Sequence, residues 1–312
     1  MTAHPLYPTI DTNGRITVAS RVLALVFVII LPALGAAGAA VLSVLGMVSW
    51  ADLGIFAGMY VLTALGTTVG YHRLFTHRAF ETPRPVRWLL AVLGCMNAQG
   101  APIVWAAQHR MHHACPDEPG DPHSPHQDRK PGFMGALMGL WHSHFGHVFN
   151  QTASIDPGRY VPDLERDSFL RGLEKMSALV VVLGGLIPFG AGWLLTGTWI
   201  GGATGLLWGG LVRLFVATHA TAAVNSVCHV FGSRRFALAD RSGNVGWLAP
   251  ITLGESWHHN HHAFPTSARH GLKWWEFDPS WFVIWTMEQL GLAWNVSRIS
   301  KERQEQKLVA KA

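Results

Sequence analysis

The sequence predicts an all-α integral membrane protein: four transmembrane helices in two hairpins, with a helical domain on the cytoplasmic side that carries a histidine-rich site. Three observations predict it. Charged residues make up only 14% of the 312, against roughly 25% in an ordinary soluble domain. Long stretches of the chain carry no charge at all. And 18 residues are His, gathered in clusters rather than scattered, which usually signals metal binding.

The spans come first. A bilayer core needs about 20 apolar residues in helical form. Residues 22–48 and 53–71 satisfy this, joined by a short turn at Trp50, Ala51 and Asp52. Met176 to Val212 is free of charge, and its apolar character continues to about Ala223. That length suits two further spans, 176–198 and 202–223, joined by a turn between Thr196 and Gly202. Trp88 to Ala107 is also uncharged but contains Asn97, Gln99, Gly100 and Pro102. It is expected to lie at the interface or within protein rather than to cross.

Orientation follows from charge. None of the 24 Lys and Arg falls in the two short turns, and only Arg213 lies inside a span. The rest sit in the termini and the large loop, which places segments 72–175 and 224–300 and both termini in the cytoplasm. The net charge of +5 is then a topology signal, and no nucleic-acid partner is expected. Pro5, Pro8 and Asp11 precede the first apolar run, so no cleavable signal peptide is expected. Three well-separated cysteines, Cys95, Cys115 and Cys228, read as reduced thiols. One domain covers residues 1–312.

The histidines fall into boxes. His72 and His77 form H-x4-H at the cytoplasmic end of the second span. His109, His112 and His113 form H-x2-H-H, and His258, His261 and His262 repeat that pattern. His229 follows the fourth span, four residues after Asn225. On a helix, positions i, i+3 and i+4 lie within about 100° of arc, so each H-x2-H-H aims three imidazoles at one point. His72 and His77 stand about 140° apart on an α-helix; they share a site only if the helix ends or unwinds between them. Nine histidines exceed the roughly four ligands of a tetrahedral ion, so two metals are expected. Imidazole suits Fe, Zn, Cu and Ni alike. A joint site also requires all boxes on one side of the membrane, which is why 88–107 cannot cross.

These motifs resemble a known family. His72-Arg73-Leu74-Phe75-Thr76-His77, His109-Arg110-Met111-His112-His113 and Trp257-His258-His259-Asn260-His261-His262-Ala263-Phe264-Pro265 are similar to the three histidine boxes of integral-membrane fatty acid desaturases. Their order and spacing are closest to the Δ9, stearoyl-CoA desaturase-like branch. Asn225-Ser226-Val227-Cys228-His229 resembles that branch's extra ligand segment, where the His binds metal and the Asn reaches it through water. The resemblance runs from about Leu53 to Trp275. It implies two irons, O2 as co-substrate and two electrons from a separate ferredoxin-, rubredoxin- or cytochrome b5-like donor, since no fused haem segment is present. It implies a fatty acyl thioester or acyl lipid as substrate, with Δ9 desaturation of acyl-CoA the leading expectation. Ligands would be His72, His77, His109, His112, His113, His229, His258, His261 and His262, with Asn225. A hydroxylase is the near alternative. A metal transporter would need ligands at mid-membrane, and a di-haem cytochrome has no use for triplets.

The sequence departs from the acyl-CoA enzymes where they hold CoA phosphates. Ala107, Gln151 and Thr152 stand where basic residues are expected, leaving Arg110, Arg129, Lys130, Arg234 and Arg235 as substitutes. The Asp121 to Gly139 region is longer than in animal relatives. His259 should point off the metal face, and His123 and His126 should be solvated. His142, His144, His147 and His219 are open between supporting and ordinary packing roles. Arg213 should snorkel or pair at a helix contact. Asp240, Glu255 and Asp278 are candidates to orient ligand imidazoles. Trp88, Trp105, Trp257, Trp274 and Trp275 are membrane anchors or cavity walls.

Overall fold

A computed structural model describes residues 3–4, 7–126, 131–150 and 154–308. Gln151, Thr152, Arg129 and Lys130 lie outside the described residues. Four helices are long and apolar enough to cross a membrane: Val18–Val44, Trp50–Thr76, Ser168–Thr196 and Trp199–His229, spans 1 to 4. They form two hairpins, as the sequence predicts. A short antiparallel ribbon, Ala3–His4 with Tyr7–Asp11, precedes them.

The span boundaries differ from the apolar stretches for physical reasons. Span 3 begins at Ser168 rather than 176, because its first turns carry Arg171, Glu174 and Lys175, which a search for apolar runs leaves out. Span 2 runs past Tyr71, through the first histidine box, as a π-helix over Gly66–Thr76.

The turns opposite the histidines are built from caps. Ser49 accepts from the Asp52 amide at 3.2 Å while the Asp52 carboxylate accepts from the Ser49 amide at 2.9 Å, a capping box that starts span 2. Span 3 ends at Gly197, with φ +68°. Thr198 Oγ1 then accepts from the Gly201 amide at 3.0 Å and opens span 4. Spans 3 and 4 meet through small residues: a Cβ on Gly205 would lie 2.3 Å from the Pro188 carbonyl oxygen.

Arg213 does not snorkel; it pairs at a helix contact, through backbone carbonyls. It is fully buried and donates to the carbonyls of Gly209 at 2.9 Å, Met96 at 2.8 Å and Gly184 at 3.3 Å. Two of these carbonyls need a partner. Met96 ends its helix, and Gly184 would bond the N–H that Pro188 lacks.

Trp88 to Ala107 does not form one helix. It divides into Arg84–Met96 and Pro102–Ala114, broken where Ala98 and Gly100 take positive φ. Neither piece has the length of a span. The second carries the middle histidine box. Its N-terminus is held from span 3, where buried Glu174 accepts from the Ile103 amide at 2.9 Å.

Candidate metal centre

The first box works because the helix changes pitch. In a π-helix the amide of residue i+5 bonds to the carbonyl of residue i, and the His77 amide reaches the His72 carbonyl at 3.1 Å. Five residues then make about one turn. The His72 and His77 rings come to 4.8 Å between centroids, so the unwinding that the sequence required is a widening. Arg110 secures this end of span 2, donating to the Phe75 and Thr76 carbonyls at 2.8 and 2.9 Å.

All nine box histidines gather into two groups, each with its ring nitrogens within 4.8 Å of one another: His72, His77, His109, His113 and His261, and His112, His229, His258 and His262. Each H-x2-H-H is therefore split, which corrects the expectation that a triplet converges on one point. Positions i and i+4 are about 40° apart on a helix, while i+3 lies about 100° from i+4. So His109 and His113 enter the first group while His112 enters the second; His258 and His262 enter the second while His261 enters the first. The groups adjoin, with His113 and His262 ring centroids 4.6 Å apart.

The atoms that converge are suited to cations. Nε2 of His261 lies 3.1 Å from that of His72 and 2.9 Å from that of His113. In the other group, the Nε2 pairs His112–His262 and His229–His258 stand at 3.3 and 3.0 Å. Four of these rings turn Nδ1 toward a carboxylate: His72 to Glu255, His112 to Asp121 at 2.8 Å, His229 to Asp117 at 3.0 Å and His262 to Asp240 at 3.1 Å. A ring that donates from Nδ1 carries a lone pair on Nε2. Facing lone pairs repel, unless a metal at about 2.1 Å from each draws them to a separation of about 3.0–3.4 Å. The observed spacings fit that demand. His77 Nε2 is also buried with no hydrogen-bond partner among the described residues.

Electrostatics point the same way. Burial, reinforced by neighbouring histidines, drives His77, His109, His113, His258, His261 and His262 well below the ordinary imidazole range. They are neutral, the form that binds metal. Burial tends to raise the Asp117 carboxyl, but the hydrogen bond from His229 holds it down at about 2. Asp121 is held below the usual carboxylate range by His112 against the same opposition from burial.

Of the three acidic candidates, Asp240 and Glu255 meet imidazoles of the two groups. Asp278 instead pairs with Arg73 at 2.8 Å and accepts from the His270 amide. Asp117 and Asp121 were not anticipated. The available signal was their place in the turn-rich Cys115–Asp121 stretch directly after the second box. His270 was also missed: it is buried, its ring 4.5 Å from that of His261.

Other histidines sort by their partners. His259 points off the metal face, as expected, and accepts from the Phe236 amide at 2.9 Å. His123 is not solvated but buried, its ring 4.5 Å from that of His112. His126 is half-buried, its Nε2 2.7 Å from the His229 carbonyl oxygen. His144 and His219 pair at 3.0 Å, and His147 Nδ1 lies 3.2 Å from the His142 carbonyl.

An apolar cavity of about 600 Å3 leads to the centre. His72, His109 and His258 close its inner end, and Asn225, Trp105, His144 and His147 line it. Trp257 is buried and donates to the Phe277 carbonyl at 2.8 Å. Trp88, Trp274 and Trp275 are exposed.

Of the cations expected at a CoA site, the three among the described residues are committed elsewhere. Arg110 also holds Asp163 at 2.7 Å, Arg235 holds Glu276 at 3.2 Å, and Arg234 donates to the Ser242 and Leu238 carbonyls. Ala107 is fully buried in the core.

Comparison with known proteins identifies the family. The family described as fatty acid desaturase matches residues 47–298. The chain is 44% identical to the hex-5-enoyl-[acyl-carrier protein] acetylenase of Moorena producens, over 84% of this chain and 82% of that protein. It is 37% identical to the sn-1 stearoyl-lipid 9-desaturase of Anabaena variabilis, over 82% and 87%. It is also 37% identical to the icosanoyl-CoA 5-desaturase of Limnanthes douglasii, over 85% and 68%. With two gathered histidine groups at the end of an apolar cavity, these matches settle the family: this chain belongs to the fatty acid desaturases and is a fatty acyl oxidoreductase.

Proposed function

We propose that the protein desaturates a saturated fatty acyl chain carried on a membrane lipid, using two irons, O2 and two electrons. The observation that carries this reading is the placement of both histidine groups at the closed end of an apolar cavity. The reaction converts two adjacent methylenes, O2, two electrons and two protons into a double bond and two waters. Iron, when bound, supplies with O2 the oxidant that an unactivated C–H bond demands and no side chain provides.

The protein's part is to hold and place. His72, His77, His109, His113 and His261 would hold one iron, and His112, His229, His258 and His262 the other, with Asn225 reaching the second through water. Glu255, Asp117, Asp121 and Asp240 fix four imidazoles in the tautomer that presents Nε2. The cavity lays an alkyl chain against His72, His109 and His258 and keeps bulk water away. Double-bond formation at Δ9 remains the expectation carried by the family resemblance.

A lipid ester is favoured over CoA because Arg110, Arg234 and Arg235 are spent on internal partners. The acetylenase relative supports a second reading, further dehydrogenation of an unsaturated chain on acyl-carrier protein. The four spans and family support a multi-pass membrane protein, one domain throughout, with termini and centre in the cytoplasm, where a separate ferredoxin-, rubredoxin- or cytochrome b5-like donor would dock.

The test is expression in a desaturase-deficient host with mass spectrometry of the lipids and iron analysis of the purified chain. A product two mass units lighter with two irons per chain supports the proposal. A product sixteen units heavier makes it a hydroxylase, and an intense Soret band makes it a haem protein.

A further inference from the structure

We propose that the acyl chain enters from the side, out of the bilayer, through a cleft between spans 1 and 3. This rests on the reading of the protein as a desaturase of lipid-borne acyl chains and adds the route by which the substrate reaches the site.

The cavity lining changes character along its length. At the inner end His72, Ala64, Thr68 and Val104 are buried. At the other end the lining is exposed and comes from two spans, Leu23 and Phe27 on span 1 and Ala178 and Val182 on span 3. Leu23 and Phe27 are four residues apart, and so are Ala178 and Val182, so each pair forms one helical stripe. The two stripes are the lips of an opening that continues the wall of a site reaching the histidines.

The depth of these lips decides what passes between them. Arg21 is the last charged residue of span 1 before its apolar run, and Lys175 the last of span 3. Both lips begin two or three residues deeper. At 1.5 Å per residue, Ala178 and Val182 lie about 4.5 and 10.5 Å beyond Lys175, and Leu23 and Phe27 about 3 and 9 Å beyond Arg21. The two lips therefore match in level and run from the headgroup boundary into the hydrocarbon, facing lipid tails rather than water. Helices that line a bilayer-facing gap with Leu, Phe, Ala and Val offer nothing to a phosphate-bearing carrier. They suit an alkyl chain that leans sideways while its ester and headgroup stay at the level of Arg21 and Lys175.

The experiment uses the full-length, iron-loaded protein in phosphatidylcholine vesicles containing phosphatidylcholine with a diazirine midway along a stearoyl chain. Light should give adducts on the Leu23–Phe27 and Ala178–Val182 segments and, deeper, near Thr68 and Val104. Ala178→Trp and Val182→Phe narrow the lip, and whichever keeps parental iron per chain is read, so misfolding is not mistaken for closure. In that variant the deep adducts should fall at least tenfold while lip adducts persist. Deep adducts at the parental level in the narrowed variant would overturn the portal. So would a parent protein labelled at depth by a soluble photoreactive acyl thioester but never by the phospholipid. A parent protein that gives the deep adducts yet oxidises no acyl chain on any carrier keeps the portal and refutes the desaturating function, so the two failures are distinct.

Discussion

The Asp121 carboxylate meets Nδ1 of His112 at 2.8 Å, with both side chains sealed from solvent. The bond fixes which nitrogen of His112 is left bare, and that nitrogen faces His262. Asp121→Asn keeps the shape but removes the charge that holds the imidazole in this tautomer. Metal affinity at the four-histidine group should fall by about 10–100-fold. Iron analysis of the purified variant should approach one iron per chain after dialysis against a weak chelator. Two irons retained under those conditions contradicts the role given to Asp121.

His261 and His262 are neighbours in sequence but belong to different groups. Alanine at either should abolish turnover, yet the two variants should lose different metals. Mössbauer spectra of the enriched protein should then show complementary residual signals. Identical spectra from both variants would sink the division of the boxes between two centres.

Arg213, on span 4, ties span 3 and the Arg84–Met96 helix together through carbonyls rather than charges. Arg213→Met leaves the Gly184 and Met96 carbonyls without donors, at about 1–3 kcal/mol each. The melting temperature in detergent should drop, while iron per folded chain stays at the parental value because Arg213 touches no histidine. An unchanged melting temperature argues that those carbonyls find other partners.

Topology is testable at the span ends. Trp50 stands highly exposed at the start of span 2, and Lys301 is exposed near the C-terminus. On a Cys115→Ser background, with Cys95 and Cys228 buried, Trp50→Cys should react with an impermeant maleimide added to intact cells. Lys301→Cys should react only after lysis. The reverse pattern would invert the orientation.

What the sequence disclosed follows from which constraints are local. A bilayer forces long uncharged runs, so the spans are visible, though their ends blur where Glu174 or the His72 box rides on a membrane helix. Box spacing is local too, and all nine histidines were legible. Their division was not, because it depends on whether i+3 or i+4 faces a partner helix arriving from far along the chain. The orienting carboxylates were half legible. Asp240 and Glu255 look no different in sequence from Asp278, which the fold assigns to Arg73. Asp117 and Asp121 sit in a turn with no periodicity to mark them. The π-helical pitch at His72 and His77 was visible only as a requirement.

The last prediction concerns the carrier, where the structure shifts the balance most. The sequence offered Arg234 and Arg235 as replacements for the phosphate-binding residues of acyl-CoA enzymes. Both now have occupations: Arg235 is paired with Glu276, and Arg234 is bonded to the Ser242 and Leu238 carbonyls beside Asp240, the residue that holds His262. Recruiting them to CoA would break those contacts and disturb the metal support. Replacing Arg234 and Arg235 by Gln should therefore lower stability and iron content rather than raise KM at constant kcat, the signature of lost uniform binding. A competition gives the direct answer. Purified protein with an electron donor receives equal amounts of stearoyl-CoA and stearoyl-phospholipid, and the products are separated by carrier. Turnover of the phospholipid should dominate. Turnover of stearoyl-CoA alone, with KM raised in the double variant, would return the carrier to CoA and leave the histidine centre as described.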